Sequence, residues 1–189
     1  MTTIITPSAA ASFRTAINAA GARPYLVRTS SVQAGNIALD NFTLGVRFHA
    51  LITRIKDFDP LDAKEKALLP YLNAVRDELR SMGVKYIDPE VRLPGVYPLP
   101  NSRCDMLLKG GLAPVGVAEV KVTGAIPDRP VDAHLMQLAI YEELVVRKLH
   151  QSHLWGCVAY VSFVEKRVRL FAYRDVTTIR RTACNLLAA

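Results

Sequence analysis

The segment Gly116–Val122, with the sequence GVAEVKV, is the feature that most constrains the fold. Its small and branched apolar residues are typical of a short β-strand. Glu119 and Lys121 interrupt the run two positions apart. Because side chains alternate across a strand, both are expected on the same face. Two charges within an apolar strand carry a desolvation cost, so we expect them to serve a function.

A second apolar run precedes this one at Cys104–Leu108, and Asp105 interrupts it. Aspartate on one strand and Glu-x-Lys on the next suit a site that binds a divalent metal and activates water, because Mg²⁺ prefers hard oxygen ligands. We therefore expect Asp105 and Glu119 to be metal ligands and catalytic residues. Lys121 is the expected catalytic lysine, and the backbone carbonyl of Val120 is an expected further ligand.

A third candidate ligand, His49, lies in a segment from Asn36 to Lys56 whose apolar residues have helical spacing. Gly45 lies one turn before it. Glycine in a helix costs about 1 kcal/mol relative to alanine, which indicates that Gly45 clears space. That space would serve a ligand of His49, whose nitrogen would favour Mn²⁺ alongside Mg²⁺. The alternative is that His49 only packs and Gly45 lets two helices approach.

The rest of the chain predicts an α/β layered domain with a mixed sheet. Asp59 is the expected N-cap of the helix that follows His49, and Asp62-Ala63-Lys64 within it imitates the Asp-x-Lys pattern without an acidic partner. The polar segment 25–35 is expected to be irregular, with a short extended piece. The other expected elements are a helix at 8–20, strands at 84–93, 103–109 and 116–122, a helix at 133–150, strands at 154–163 and 168–173, and a last helix ending near 187.

Composition narrows the class of protein. With 189 residues, half of them hydrophobic, the chain is expected to form one globular domain, and no apolar run is long enough for a membrane span. The net charge of +7 fits a polyanionic partner such as nucleic acid. Three widely spaced cysteines argue against a disulfide framework, a zinc site or an iron–sulfur cluster. A reducing cytoplasm is the expected compartment.

The first 39 residues contain no acidic residue and are rich in alanine, serine and threonine. This composition resembles an organelle transit peptide, so an organelle matrix is the alternative to the cytoplasm of a bacterial or phage-infected cell. We expect a single domain over 1–189, with an N-terminal extension at 1–35 and a catalytic core at 36–189.

A polar row marks the helix after the Glu-x-Lys strand. His134, Gln137 and Tyr141 are spaced by three and four residues and therefore share one face. The row could contact substrate, or it could simply face solvent. On the same helix, Leu135, Leu138, Val145 and Leu149 form the expected buried stripe.

Together these motifs resemble the PD-(D/E)XK nuclease superfamily, and within it the RecB-like exonuclease branch. The motifs that carry the resemblance are Gly45-x-x-x-His49, Asp105, Glu119-Val120-Lys121 and Gln137-x-x-x-Tyr141. Cys104 replaces the proline that the family places before the aspartate. The iron–sulfur cysteines and helicase portion of some relatives are missing.

The resemblance implies a restriction-endonuclease-like α-β-β-β-α-β core with a central mixed sheet flanked by helices. It implies that His49, Asp105 and Glu119 bind metal, that Lys121 is catalytic, and that Gln137 and Tyr141, with His134 beside them, lie near the DNA. Glu90, on the first core strand, lies where some members carry an additional acid.

The expected function is a deoxyribonuclease, dependent on Mg²⁺ or Mn²⁺, that hydrolyses DNA phosphodiester bonds by a metal-activated water. An exonuclease is the first expectation. An endonuclease or nickase with the same site, or a non-catalytic nucleic-acid-binding module of the same fold, is the alternative. The expected partner is single- or double-stranded DNA, with no membrane. A homo-oligomer, a replication or recombination partner protein, and roles in DNA repair or phage replication stay open.

Overall fold

The computed structural model describes residues 6–35, 41–54, 61–97, 99–150 and 154–188. Within these ranges five helices and six strands follow one another along the chain. The elements are α1 (Pro7–Ala19), β1 (Leu26–Ser31), α2 (Asn41–Arg54), α3 (Ala63–Ser81), β2 (Val84–Leu93), β3 (Ser102–Gly110), β4 (Val115–Val122), α4 (Asp132–Leu149), β5 (Leu154–Ser162), β6 (Arg167–Tyr173) and α5 (Thr177–Ala188).

The six strands form one mixed sheet in the order β1-β6-β5-β4-β3-β2. Strands β2, β3 and β4 form an antiparallel meander, as their short connections predict. Helix α4 is the crossover that brings β5 parallel to β4. Strand β6 then returns antiparallel to β5, and β1 adds to the far edge. The predicted α-β-β-β-α-β core, with its mixed sheet, is confirmed and consistent with a restriction-endonuclease-like fold.

Helices cover both faces of the sheet. One apolar core lies between the sheet and helices α2 and α3. A second core lies on the opposite face, where α1, α4 and α5 pack. Every residue of β5 is buried, as expected for a central strand with helices on both sides. The site residues of β4 therefore lie in the middle layer of a three-layer molecule.

Helix α3 begins later than the sequence pattern predicts. Asp62 is its N-cap: the Asp62 side chain accepts from the Glu65 N–H at 2.7 Å, and the Glu65 side chain accepts from the Asp62 N–H at 2.9 Å. This reciprocal capping box satisfies two backbone donors at once. Asp62 therefore ends the loop rather than lying in the first turn. The alternative cap, Asp59, lies outside the described residues.

Two other predictions need comment. The short extended piece expected in segment 25–35 is a regular edge strand, β1, paired with β6 from Leu26 to Ser31. Leu149 is 38% exposed, so the buried stripe of α4 ends at Val145. The outer ends of the predicted helix 36–56 lie outside the described residues.

No helix among the described residues is both long enough and apolar enough to cross a bilayer.

Candidate metal centre

Three side chains from three elements form the candidate metal centre. His49 comes from α2, Glu90 from β2 and Asp105 from β3, and one ligand atom of each lies within 4.8 Å of the others. His49 Nδ1 lies 3.1 Å from Asp105 Oδ1. Burial lowers the pKa of His49, but the hydrogen bond and charge of Asp105 outweigh it, so that pKa is raised above 6.5. The three groups supply one nitrogen and carboxylate oxygens around a common point.

Strand register places Glu90 opposite Asp105. The flanking pairs in the β2–β3 ladder are Pro89 with Met106 and Val91 with Cys104. Glu90 itself has φ 52°, a left-handed conformation that is uncommon for a residue other than glycine. Such conformations cluster at functional sites. The backbone is therefore distorted at the one position of β2 that faces Asp105.

Asp105 lies where strands β3 and β4 separate. The last pair in their ladder is Met106 with Ala118. Beyond that pair, Asp105 Oδ2 accepts a hydrogen bond from the Val120 N–H at 2.7 Å. One carboxylate oxygen is thus fixed by the backbone of β4 while the other faces His49, which holds Asp105 in a single orientation.

Glu119 is almost completely buried and faces the same direction as Lys121, as alternation predicts. Its Oε1 forms an ion pair with Lys121 Nζ. Its Oε2 has no hydrogen-bond partner among the described residues. Burial, and then the charge of Asp105, raise the pKa of Glu119 well above its ordinary value, against the effect of Lys121. A buried carboxylate oxygen without a partner, close to a second carboxylate, is a position that a cation would stabilise.

A chain of hydrogen bonds holds Lys121 from the side of α4. Lys121 Nζ donates to Gln137 Oε1 at 2.9 Å, and Gln137 Nε2 donates to the Tyr141 hydroxyl. Both α4 side chains are buried, so they do not face solvent. Burial, and then the nearby Glu119, raise the pKa of Tyr141, which keeps its hydroxyl neutral. The Lys121 ammonium is therefore fixed between Glu119 and Gln137.

His134 ends this row beside Tyr160. Its Nδ1 lies 3.0 Å from the Tyr160 hydroxyl, and that hydroxyl accepts from the Val131 N–H at 2.8 Å. Burial, and then the charge of Lys121, lower the pKa of His134 to about 4. His134 is thus a neutral imidazole at neutral pH. The Tyr160 hydroxyl links it to the Val131 N–H, at the N-terminal end of α4.

Gly45 does not serve a close approach between two helices. A β-carbon built there would meet only the Val122 Cβ, at 3.8 Å, which is an ordinary contact. It faces strand β4 rather than another helix, so the alternative that Gly45 lets two helices approach is wrong. That Gly45 clears space for a ligand of His49 stays a prediction.

Sequence reasoning underestimated Glu90 and did not identify Arg103. Arg103 Nε lies 2.6 Å from Glu90 Oε2. Burial nevertheless raises the pKa of Glu90 above its ordinary value. The sequence indicates a role for Glu90 only weakly, because a single acidic residue is common in a polar strand. The strand register, which places Glu90 opposite Asp105, is what marks it as a candidate ligand.

The described donor set fits a small divalent cation. Carboxylate oxygens suit Mg²⁺, and the imidazole nitrogen of His49 also suits Mn²⁺. Glu119, an expected ligand, is not one of the three residues whose ligand atoms lie within 4.8 Å of one another, although the charge of Asp105 acts on its carboxyl group. Chemically, the arrangement combines a cation site with a lysine fixed beside it.

Comparison with known proteins supports the fold alone. No protein-family model matches the chain, and no curated protein matches its sequence. A solved structure of a candidate exonuclease from Eubacterium rectale superimposes with a TM-score of 0.52 at 12% identity. The match covers 82% of this chain and 65% of that one, so this chain spans less than two thirds of the other protein's length.

A second structure, SSO0001, is 20% identical over 81% of this chain and 78% of its own. Its TM-score of 0.37 is too low to support a conclusion. The chain shares a mixed α/β fold with the Eubacterium rectale structure alone of these two.

Proposed function

We propose that this chain is a divalent-metal-dependent deoxyribonuclease of the PD-(D/E)XK superfamily, in its RecB-like exonuclease branch. The observation that carries the proposal is the cluster of His49, Glu90 and Asp105 beside the Glu119–Lys121 ion pair. The fold shared with a candidate exonuclease supports it. The net charge of +7 also suits a polyanionic substrate.

In this proposal His49, Glu90, Asp105 and Glu119 hold Mg²⁺ or Mn²⁺, with the Val120 backbone carbonyl as a further ligand. A cation bound there supplies charge stabilisation at the scissile phosphate and lowers the pKa of an attacking water. Cation binding would account for two unusual features of the site. A cation would satisfy the buried Glu119 Oε2 and balance the charge of the clustered carboxylates.

Lys121 orients the attacking water or stabilises the negative charge that develops on the phosphate. Its ammonium is already held between Glu119 and Gln137, so little reorganisation is needed during reaction. Gln137 and Tyr141 hold Lys121 in place near the DNA, and His134 contacts DNA from the outer end of the row. This assignment makes the buried row part of the catalytic machinery.

The test is cleavage of end-labelled linear DNA by the full chain with Mg²⁺, Mn²⁺ or EDTA. We expect wild type to release nucleotides only with metal, and Asp105→Asn or Lys121→Ala to reduce the rate by at least about 100-fold. Lys109→Ala is the matched control, because Lys109 lies on β3 but its side chain is exposed and paired with Asp88. Undiminished cleavage by either site variant would contradict the proposal.

Covalently closed circular DNA separates the two catalytic candidates. An exonuclease leaves the circle intact, whereas an endonuclease or nickase relaxes or linearises it. A wild type that binds metal and DNA but cleaves neither substrate would identify the non-catalytic module.

A further inference from the structure

We propose that the β2–β3 connection, with Arg92, forms a subsite for a single nucleic-acid strand, in which Tyr97 stacks on a base and Arg92 binds a backbone phosphate. The inference rests on the proposed function, because it places substrate beside the metal centre. The described residues of the connection between β2 and β3, 94–97 and 99–101, are called the arm below.

The arm is ordered by its own contacts. Gly95 N–H donates to Asn101 Oδ1 at 2.7 Å, and Val96 pairs with Leu99 across the turn. Leu99 is buried, which anchors the arm to the domain. The arm is thus a braced turn with a fixed direction.

Tyr97 is displayed at the tip of the arm. It is 90% exposed, the highest value among the large hydrophobic side chains that the structure describes. A braced turn that presents an aromatic ring to solvent gains nothing for folding, because the ring is not buried. Aromatic rings presented in this way are the usual stacking platforms for unpaired bases, and they accept any base because each has a π-face.

An open cavity lies at the base of the arm. Its volume is about 470 Å³, which is within the range for small-ligand sites. The described residues that line it include two arginines and no acid: Arg92, Leu93, Pro94, Asn101, Ser102 and Arg103. Arg92 is exposed, and no ion pair of its guanidinium occurs among the described residues. Such a lining selects an anionic ligand of about nucleotide size.

The cavity adjoins the metal centre. Arg92 follows Glu90 by two residues on β2, and Arg103 precedes Asp105 by two residues on β3. Two residues span roughly 7 Å along a strand. Arg103 links the two sites directly through its ion pair with Glu90. A strand with one phosphate at the metal centre would therefore have its neighbouring nucleotide at the cavity and arm.

The test measures strand binding by the full chain in EDTA, so that cleavage plays no part. The probe is a fluorescein-labelled oligothymidylate of about 12 nucleotides, followed by fluorescence anisotropy. We expect Tyr97→Ala to weaken binding at least about fivefold, the lower limit for one base–aromatic stack. We expect Arg92→Ala to reduce the slope of log affinity against log salt by about 0.7.

Two matched controls address surface effects. Tyr86→Ala removes an exposed tyrosine of β2 that lies at the end of the strand remote from the arm. Arg80→Ala removes an exposed arginine on α3. Both should bind like wild type. A strand of the same length with abasic sites should bind wild type more weakly and should not distinguish wild type from Tyr97→Ala. Equal losses for Tyr97→Ala on normal and abasic strands would overturn the stacking role.

Cleavage measured separately distinguishes this inference from the proposed function. If wild type cleaves with metal while Tyr97→Ala and Arg92→Ala bind like wild type, the subsite is overturned and the nuclease stands. If the variants lose binding but wild type cleaves nothing, the subsite stands and the nuclease fails. When both hold, the variants should raise KM and leave kcat unchanged.

Discussion

Two buried carboxylates, Glu119 and Glu142, have very different surroundings. Glu119 is paired with Lys121 and adjoins the metal centre. Glu142 is completely buried on α4, and neither of its oxygens has a hydrogen-bond partner among the described residues. Its Oε1 occupies the place that a β-carbon at Gly156 would take. Gly156 therefore creates the room for Glu142, which lies outside the proposed catalytic machinery.

Glu142→Gln should leave stability unchanged at low pH and stabilise the protein at higher pH. Burial raises the pKa of Glu142 well above 4.5, even though Arg180 opposes the shift. The folded state therefore holds this proton more tightly than the unfolded state does. That contribution to stability is full below pH 4.5 and is lost as pH rises through the folded pKa.

The measurement is thermal unfolding of both proteins at pH 4.5 and at about pH 8. The melting temperature of Glu142→Gln should match wild type at the lower pH and exceed it at the higher. Asp77→Asn, which alters an exposed carboxylate on α3, supplies the background response. A Gln variant that is less stable at high pH would contradict the account.

At the level of single residues, the sequence predicted those candidate site residues whose type is unusual for their local pattern. Glu119, Lys121 and Asp105 were charges within apolar strands, and Gln137 and Tyr141 formed a polar row. Glu142 gave no such signal, because a glutamate within a helix ordinarily faces solvent. Its burial depends on a glycine that lies on a different element.

At the scale of elements, the start of β4 is fitted to one rigid side chain. A β-carbon at Gly116 would lie 2.5 Å from Cε2 and 2.8 Å from Cδ1 of Trp155. The Trp155 indole is fully buried, and its Nε1–H donates to the Gly110 carbonyl at 2.9 Å. The ring therefore cannot move aside without losing packing and a hydrogen bond.

We expect Gly116→Ala to lower the free energy of unfolding by about 1–3 kcal/mol, as overpacking of a core does. Urea unfolding followed by fluorescence measures this well, because Trp155 is the one tryptophan of the chain. Gly35→Ala is the control, since a β-carbon there meets nothing within 4 Å. If Gly116→Ala is as stable as wild type, the Trp155 indole can move aside and the prediction is wrong.

The opposite outcome is expected in helix α2. Gly45→Ala adds a β-carbon in ordinary contact with Val122 and removes the helix penalty of glycine. Stability should rise by up to about 1 kcal/mol, and Mn²⁺ binding should be unchanged. Ala50→Gly, at an exposed position of the same helix, should lower stability by a similar amount. Weaker Mn²⁺ binding by Gly45→Ala would show instead that Gly45 clears space beside His49 for a ligand.

At the scale of the whole molecule, the order of elements was predictable and their lateral arrangement only in part. Short connections predicted the β2–β3–β4 meander, and a helical crossover left open where β5 would lie. The parallel pairing of β5 with β4 comes from α4, which buries every side chain from Leu135 to Glu142. Edge strand β1 was expected only as a short extended piece without a partner strand, because its half-exposed, polar sequence carries little periodic signal.

The described N-terminal segment is built into this architecture. Strand β1 hydrogen-bonds to β6, and Arg14 of α1 binds the Pro130 carbonyl and forms an ion pair with Asp132 at the start of α4. These contacts tie α1 to the helix that positions Lys121. The division of the chain into an extension and a catalytic core stays a prediction.

Elements α2, β2 and β3 bring His49, Glu90 and Asp105 together, and we propose that the three residues form one divalent-cation site. Isothermal titration of Mn²⁺ into the full chain tests this claim. We expect saturable binding to wild type and to Lys109→Ala, and no measurable binding to Asp105→Asn. An absence of binding to wild type, or binding that Asp105→Asn leaves unchanged, would contradict the claim.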